Sequence, residues 1–204
     1  MIYDRVIYLY LYIEYMQVFE TVDKPYGKTW EEWVIKWWEW FLGTPYDKHP
    51  ARGHDMSIGQ NDPNVYFLMG GTGGGFQRDD LVVPFGKSLF LPVINYIGSY
   101  AEENISTESE LLEFTNKHLN DMISKHITVD GENVNFNRIY TTPFDISYGP
   151  DNIFDVKPGL TRAASDGYWV FLYPMSRGEH DIQIRSSCSS GRNAFSADLH
   201  LTVQ

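Results

Sequence analysis

The densest set of groups able to move a proton or grip a polar ligand is His49-Pro50-Ala51-Arg52-Gly53-His54-Asp55, two histidines, an arginine and a carboxylate within one short stretch. On a loop held by a rigid scaffold, His54 or Asp55 can transfer a proton and Arg78 can hold an oxyanion, with Glu102 or Glu103 as a second carboxylate. The same neighbourhood also reads as a binding rim, with Trp40 giving an aromatic face and His54, Asp55, Gln60, Arg78 and Asn95 giving polar contacts. Arg78 is the most telling of these. Its guanidinium is always charged and offers paired donors, so it is expected either to recognise a carboxylate or to bind an internal acid such as Asp55. The plain alternative is a solvated loop, because His, Arg and Asp favour surfaces in any case.

Other chemical motifs fail on context. Gly70-Gly71-Thr72-Gly73-Gly74-Gly75 follows an apolar run as a phosphate loop would, yet it leads into another apolar strand and offers no helix N-terminus to an anion. Gly86-Lys87-Ser88 imitates the end of a Walker A motif, but Leu81 stands where that motif requires glycine. No GxSxG elbow is present, so no Ser-His-Asp set can be named. The six histidines show no HExxH or His-x-His spacing, and the expectation is no metal and no cofactor. His118, on a helix stripe, reads as a core or boundary histidine, and Cys188 as an inert or surface thiol. Asn104-Ile105-Ser106 fits a glycosylation acceptor, which matters only in an exported chain.

These residues need elements to position them. Thr29 and Glu32 form a capping box, and behind it Trp30, Trp33, Val34, Trp37, Trp38 and Phe41 recur at helical spacing, which predicts a helix over about 29–42 whose indole stripe packs on a sheet. Trp40 lies toward the edge of that stripe and is expected to face solvent. A second helix is expected from Thr107, with Leu111, Phe114, Thr115, His118, Leu119 and Met122 as its inner stripe. Strands are expected at Val6–Ile13, Val65–Met69, Leu81–Val83, Ser88–Ile94, Val134–Tyr140, Tyr168–Tyr173, His180–Arg185 and Ala194–Val203. The last alternates most cleanly, with Phe195, Ala197, Leu199, Leu201 and Val203 facing in. Many strands and two helices predict one mainly β domain over residues 1–204, a β-sandwich of immunoglobulin-like or jelly-roll-like type.

Composition bounds the partners. The 204 residues carry 16 Lys+Arg against 27 Asp+Glu, a net charge of −11, with 43% hydrophobic and 16% aromatic residues. Such a chain is expected to fold without staples, and scattered basic residues on so acidic a background disfavour nucleic acid and anionic membranes. Val6–Ile13 is too short to span a bilayer and no cleavage site follows it, so with one cysteine the chain reads as soluble and cytoplasmic.

Two stretches carry a resemblance. Tyr26-Gly27-Lys28-Thr29-Trp30, Glu32-Trp33, Trp37-Trp38-Glu39-Trp40, His49-Pro50, Asp55, Gly59-Gln60, Phe67-Leu68, Gly70, Arg78, Pro84, Gly86-Lys87 and Phe90 through Asn95 form the first. Asp166-Gly167-Tyr168-Trp169, Leu172, Pro174-Met175-Ser176 and Gly178-Glu179-His180 form the second. Together they resemble a family of uncharacterised, mostly exported microbial proteins, and the C-terminal segment is also similar to the last hairpin of immunoglobulin-like sandwiches. The resemblance implies export and a cysteine pair but no activity. This chain has Met56 and Val82 at the cysteine positions. On function, a small-molecule or glycan-binding sandwich is the leading expectation. A hydrolase acting on a small ester, lactone or glycoside is the alternative, and a structural or interaction role is the third.

Overall fold

The computed structural model describes residues 18–70, 74–102, 104–188 and 195–204. The strand expected at Val6–Ile13, the centre of the glycine run and the candidate Glu103 lie outside these residues.

Helix α1 (Trp30–Gly43) begins where its cap predicts: Thr29 Oγ1 accepts the Glu32 N–H at 3.2 Å and the Glu32 carboxylate accepts the Thr29 N–H at 2.7 Å. Its indoles pack inward and each also tethers a neighbouring segment. Trp30 Nε1 donates to the Glu20 carbonyl (2.9 Å), Trp33 to Pro25 (3.0 Å), Trp37 to Leu68 (2.8 Å) and Trp38 to Ser165 Oγ (2.7 Å). Trp40 corrects the expectation made for it. It is only 6% exposed, and its Nε1 donates to the Ile58 carbonyl at 2.9 Å because the loop ahead of the first strand folds over the helix edge. Gly59 makes that closure possible: its φ is +76°, and a Cβ there would sit 3.3 Å from Trp40 Cδ1.

The strands are β1 (Val65–Phe67), β2 (Gly74–Val83), β3 (Ser88–Ser99), β4 (Met122–Val129), β5 (Glu132–Asn133), β6 (Asn137–Tyr140), β7 (Phe144–Tyr148), β8 (Gly159–Leu172), β9 (Gly178–Cys188) and β10 (Phe195–Val203), with helix α2 (Glu108–Asn120) between β3 and β4. One sheet runs β1-β3-β8-β6 with β7 also on β8, and the other runs β2-β10-β9-β4-β5. The fold is therefore mainly β, two sheets and two helices, as a β-sandwich requires. Helix α1 covers the outer face of the first sheet, where Trp33 meets Phe67 and Phe171, and Trp37 meets Trp169. The opposite face of that sheet and the inward rows of the second sheet, Ile182, Ile184, Ala197, Leu199 and Leu201, share one buried cluster. Helix α2 lies on β8 and β3. Among the described residues no helix is long and apolar enough to cross a membrane.

Several boundaries differ from the sequence reading for topological reasons. Of the run expected as one strand over Val134–Tyr140 only β6 is strand, because β5 just ahead of it pairs β4 in one sheet while β6 pairs β8 in the other and the chain must leave its ladder to change sheets. Met122 starts β4 rather than closing the α2 stripe, which places His126 on a strand. Strand β7 carries a clean signal that the reading passed over: Phe144, Ile146 and Tyr148 are buried while Asp145 and Ser147 are exposed. Cys188 is buried at the end of β9, not a surface thiol.

Candidate functional site

Among the described residues, two sheet edges meet on one side of the sandwich. Strand β1 pairs β3 in parallel and is one edge of the first sheet, and β2 pairs β10 in parallel and is one edge of the second. The chain passes from β1 to β2, so these two edges close the same side of the sandwich. On β1, Phe67 packs against Trp33 and Trp40 of the helix. By alternation Tyr66 faces the other way, toward the second sheet. On β2, Arg78 is in register with Leu199 of the inward row. A bulge follows, since Leu199 pairs Arg78 but Leu201 pairs Leu81, leaving Asp79 and Asp80 opposite the single residue His200. The extra residue leaves Asp79 and Asp80 exposed and returns Leu81 to the core.

Arg78 thus sits in an edge strand, not on the loop where it was expected, and is 8% exposed. Its Nε donates to Asp80 Oδ1 (3.1 Å), its Nη2 lies 3.0 Å from the same oxygen, and its Nη1 donates to the His54 carbonyl (2.6 Å). A guanidinium has five N–H bonds, so one on each Nη is left uncommitted among the described residues. The internal acid that Arg78 holds is Asp80, not Asp55. Tyr66, 2% exposed, stands within electrostatic reach of both Asp55 and Arg78. Burial pushes its phenol far above the ordinary range, Asp55 adds to the rise, and Arg78 opposes it. The seam therefore joins Arg78, Asp80 and the His54 backbone, with Tyr66 and Asp55 within electrostatic reach.

The remaining candidates do not join it. His54 and Asp55 are exposed; His54 gives its carbonyl, and Asp55 Oδ1 accepts the Ser57 N–H at 2.8 Å. Gln60 clamps backbone, donating to the Met56 and Phe67 carbonyls and accepting the Phe67 N–H. Trp40 is core. Asn95 lies within β3, not at its end, and is in register with Gly167. A Cβ on Gly167 would lie 2.6 Å from Trp169 Nε1 and 2.7 Å from Asn95 Cβ, so Asn95 faces the helix side of its sheet, away from Arg78. Glu102 follows the far end of β3, whose start pairs β1, and at about 3.3 Å per residue that puts it roughly 30 Å from Tyr66. Its carboxyl accepts the Ser99 N–H at 2.6 Å and is pushed up by burial.

His49 is no ligand either. Its ring is fully buried, Nε2 donates to the Phe41 carbonyl (2.8 Å), Nδ1 accepts the Ala51 N–H (3.1 Å), and burial holds its pKa below the ordinary histidine value. Among the described residues no group of three His, Cys, Asp or Glu side chains is placed to hold a metal ion. One alignment imitates a catalytic triad: Asp130 Oδ2 is 2.7 Å from His180 Nδ1, and His180 Nε2 is 3.4 Å from Ser176 Oγ. The same Nε2 is closer, at 3.0 Å, to the Ser176 carbonyl, and Asp130 also accepts the Asp181 N–H. With the ring turned to a carbonyl, no lone pair is aimed at Oγ, and the trio staples two turns together.

Tyr66 and Asp80 are the seam residues that the sequence reading missed. Asp80 had a local signal, standing two residues beyond Arg78 on a strand, but Tyr66 is brought to Arg78 only by the crossing from one sheet to the other.

On the outer face behind the bulge, His200 Nδ1 lies 2.8 Å from Asp181 Oδ1. Its pKa is raised, chiefly by the hydrogen bond to Asp181, with the charges of Asp181, Glu179 and Asp79 adding and desolvation opposing. Because the folded value lies above the unfolded one, the pair stabilises the fold below an unfolded pKa of about 6.5 and that contribution is lost as pH rises through the folded value. Proton NMR should find the His200 ring titrating above an ordinary histidine, and Asp181→Asn should bring the midpoint down; no change in the variant would show that Asp181 is not the cause.

Comparison with known proteins assigns no family. No family model matches the chain, and no curated protein matches it. Among solved structures, 68% of the chain overlays 98% of "Structure of PbICP-C in complex with falcipain-2" at a TM-score of 0.30 and 11% identity. For "Solution Structure of Amebosin", 70% of the chain overlays all of the other at a TM-score of 0.26 and 11% identity. Likenesses this weak carry no argument.

Proposed function

We propose that this protein is a ligand-binding β-sandwich that takes a small molecule or a glycan at the seam between β1 and β2. The observation that carries the reading is Arg78, a buried guanidinium on an edge strand that ties Asp80 to the His54 backbone and, among the described residues, has one uncommitted N–H on each Nη. Fixed donors with the Asp80 carboxylate beside them are what orients a polar ligand. A hydrolase is less well supported. Its expected base, His54, contributes a carbonyl, Asp55 has an oxygen committed to Ser57, and Glu102 stands at the far end of the sheet.

The test is a saturation-transfer NMR screen of small saccharides and polar metabolites, repeated on Tyr66→Phe and Arg78→Lys. A compound that binds the native chain should bind each variant at least fivefold more weakly. Tyr66→Phe removes only the hydroxyl and should leave the thermal midpoint nearly unchanged. Binding that survives both substitutions would refute the seam as the site.

A further inference from the structure

The seam reading leaves open what kind of polar ligand is selected, and the charges around Arg78 answer it. We infer that the seam selects a neutral polyhydroxylated ligand, such as the vicinal diol of an uncharged sugar ring, over any carboxylate or phosphate. This inference rests on the proposed binding role of the seam.

Arg78 is the cation of the site, and its Nε and Nη2 already share Asp80 Oδ1. Asp55 follows directly on His54, whose carbonyl Arg78 holds at 2.6 Å, so one positive charge meets two negative ones and the local sum is −1. Asp79 is held by Gln77 Nε2 rather than by Arg78, and its charge adds at His200. An incoming carboxylate at the uncommitted Nη N–H groups would share the guanidinium with Asp80 while facing Asp55, so two like charges would oppose it. A hydroxyl meets no such opposition. Its oxygen can accept from a free Nη N–H while its own proton goes to a carboxylate of Asp80 or Asp55, and two adjacent hydroxyls can do this side by side. Arg78 paired with Asp80 therefore works as a joined donor and acceptor, matched to a diol and mismatched to an anion.

The experiment compares methyl glucoside, galactoside, mannoside and xyloside with methyl glucuronoside, methyl galacturonoside and inorganic phosphate, by NMR titration of the full chain. A neutral glycoside should bind at least tenfold more tightly than its uronic counterpart, shifting Arg78 and Tyr66 side-chain resonances. Asp80→Asn should narrow or reverse that ratio by freeing the guanidinium charge. The Asp80 side chain is 75% exposed, so the variant should fold normally, and Asp55→Asn gives a second variant whose side-chain oxygen can still accept from Ser57. If a uronic glycoside or phosphate binds the native chain more tightly than every neutral glycoside, the selectivity inference is wrong while the seam stands as a site. If none of the probes shifts Arg78 or Tyr66, the binding role and the inference fall together.

Discussion

Replacing Trp37 with alanine should cost about 4 kcal/mol of folding stability, the upper range for deleting a large aromatic from a packed core. The indole is 2% exposed and meets Trp38, Trp40, Phe41 and Trp169 at centroid distances of 4.9, 5.8, 5.0 and 5.4 Å. Its Nε1 also holds the Leu68 carbonyl, one residue past β1, so the substitution would leave a cavity and a buried carbonyl without its donor. Trp37→Phe separates the two parts: it keeps most of the ring volume, loses the N–H, and should cost less than half as much. Urea unfolding followed by circular dichroism reads both. A Trp37→Ala chain within about 1 kcal/mol of the native one would mean that the indole stripe is accessible rather than a clamp on the sheet.

Gly167→Ala should be nearly as severe, about 3 kcal/mol, for a steric reason. The new Cβ would lie 2.6 Å from Trp169 Nε1, 2.7 Å from Asn95 Cβ and 3.1 Å from the Asn95 backbone. Two of these neighbours belong to the paired strand and the third to an indole stacked on Phe90 at 5.0 Å with planes 5° apart, so none can move cheaply. Thermal unfolding should show the loss. Asn95→Ala in the same chain should not restore stability, because the crowding against the Asn95 backbone and the clash with the indole both persist; full restoration would show that the amide alone sets the constraint.

What the sequence made legible is what neighbouring residues decide among themselves. Helix α1 was readable because its cap and its indole stripe are both local, and β10 because Ala197, Leu199, Leu201 and Val203 alternate strictly. Trp40 was misplaced because helical periodicity sees only the helix, and what buries this indole is the loop carrying Ile58 and Gly59. The candidate site was half legible. Arg78 does reach the His54 segment, but the parallel pairing of β1 with β3 and of β2 with β10 is a long-range fact, and without it Tyr66 cannot be matched to Arg78. The bulge at Asp79 and Asp80 is equally invisible in the sequence. An unbulged strand would turn Asp80 inward with Arg78 and put Leu81 in solvent. Asn95 and Gln60 were chosen as polar residues near strand ends, and each turned out to serve packing or backbone.

The most direct measurement is a nuclear Overhauser spectrum of the isotope-labelled chain, recorded alone and then with the tightest binder among the four neutral methyl glycosides. The account predicts cross-peaks between the Tyr66 ring and the Arg78 side chain in the free protein, and new cross-peaks from sugar ring protons to the Tyr66 ring and the Arg78 guanidinium on addition of the glycoside. Sugar contacts that fall elsewhere, or a Tyr66 ring with no cross-peak to Arg78, would contradict it.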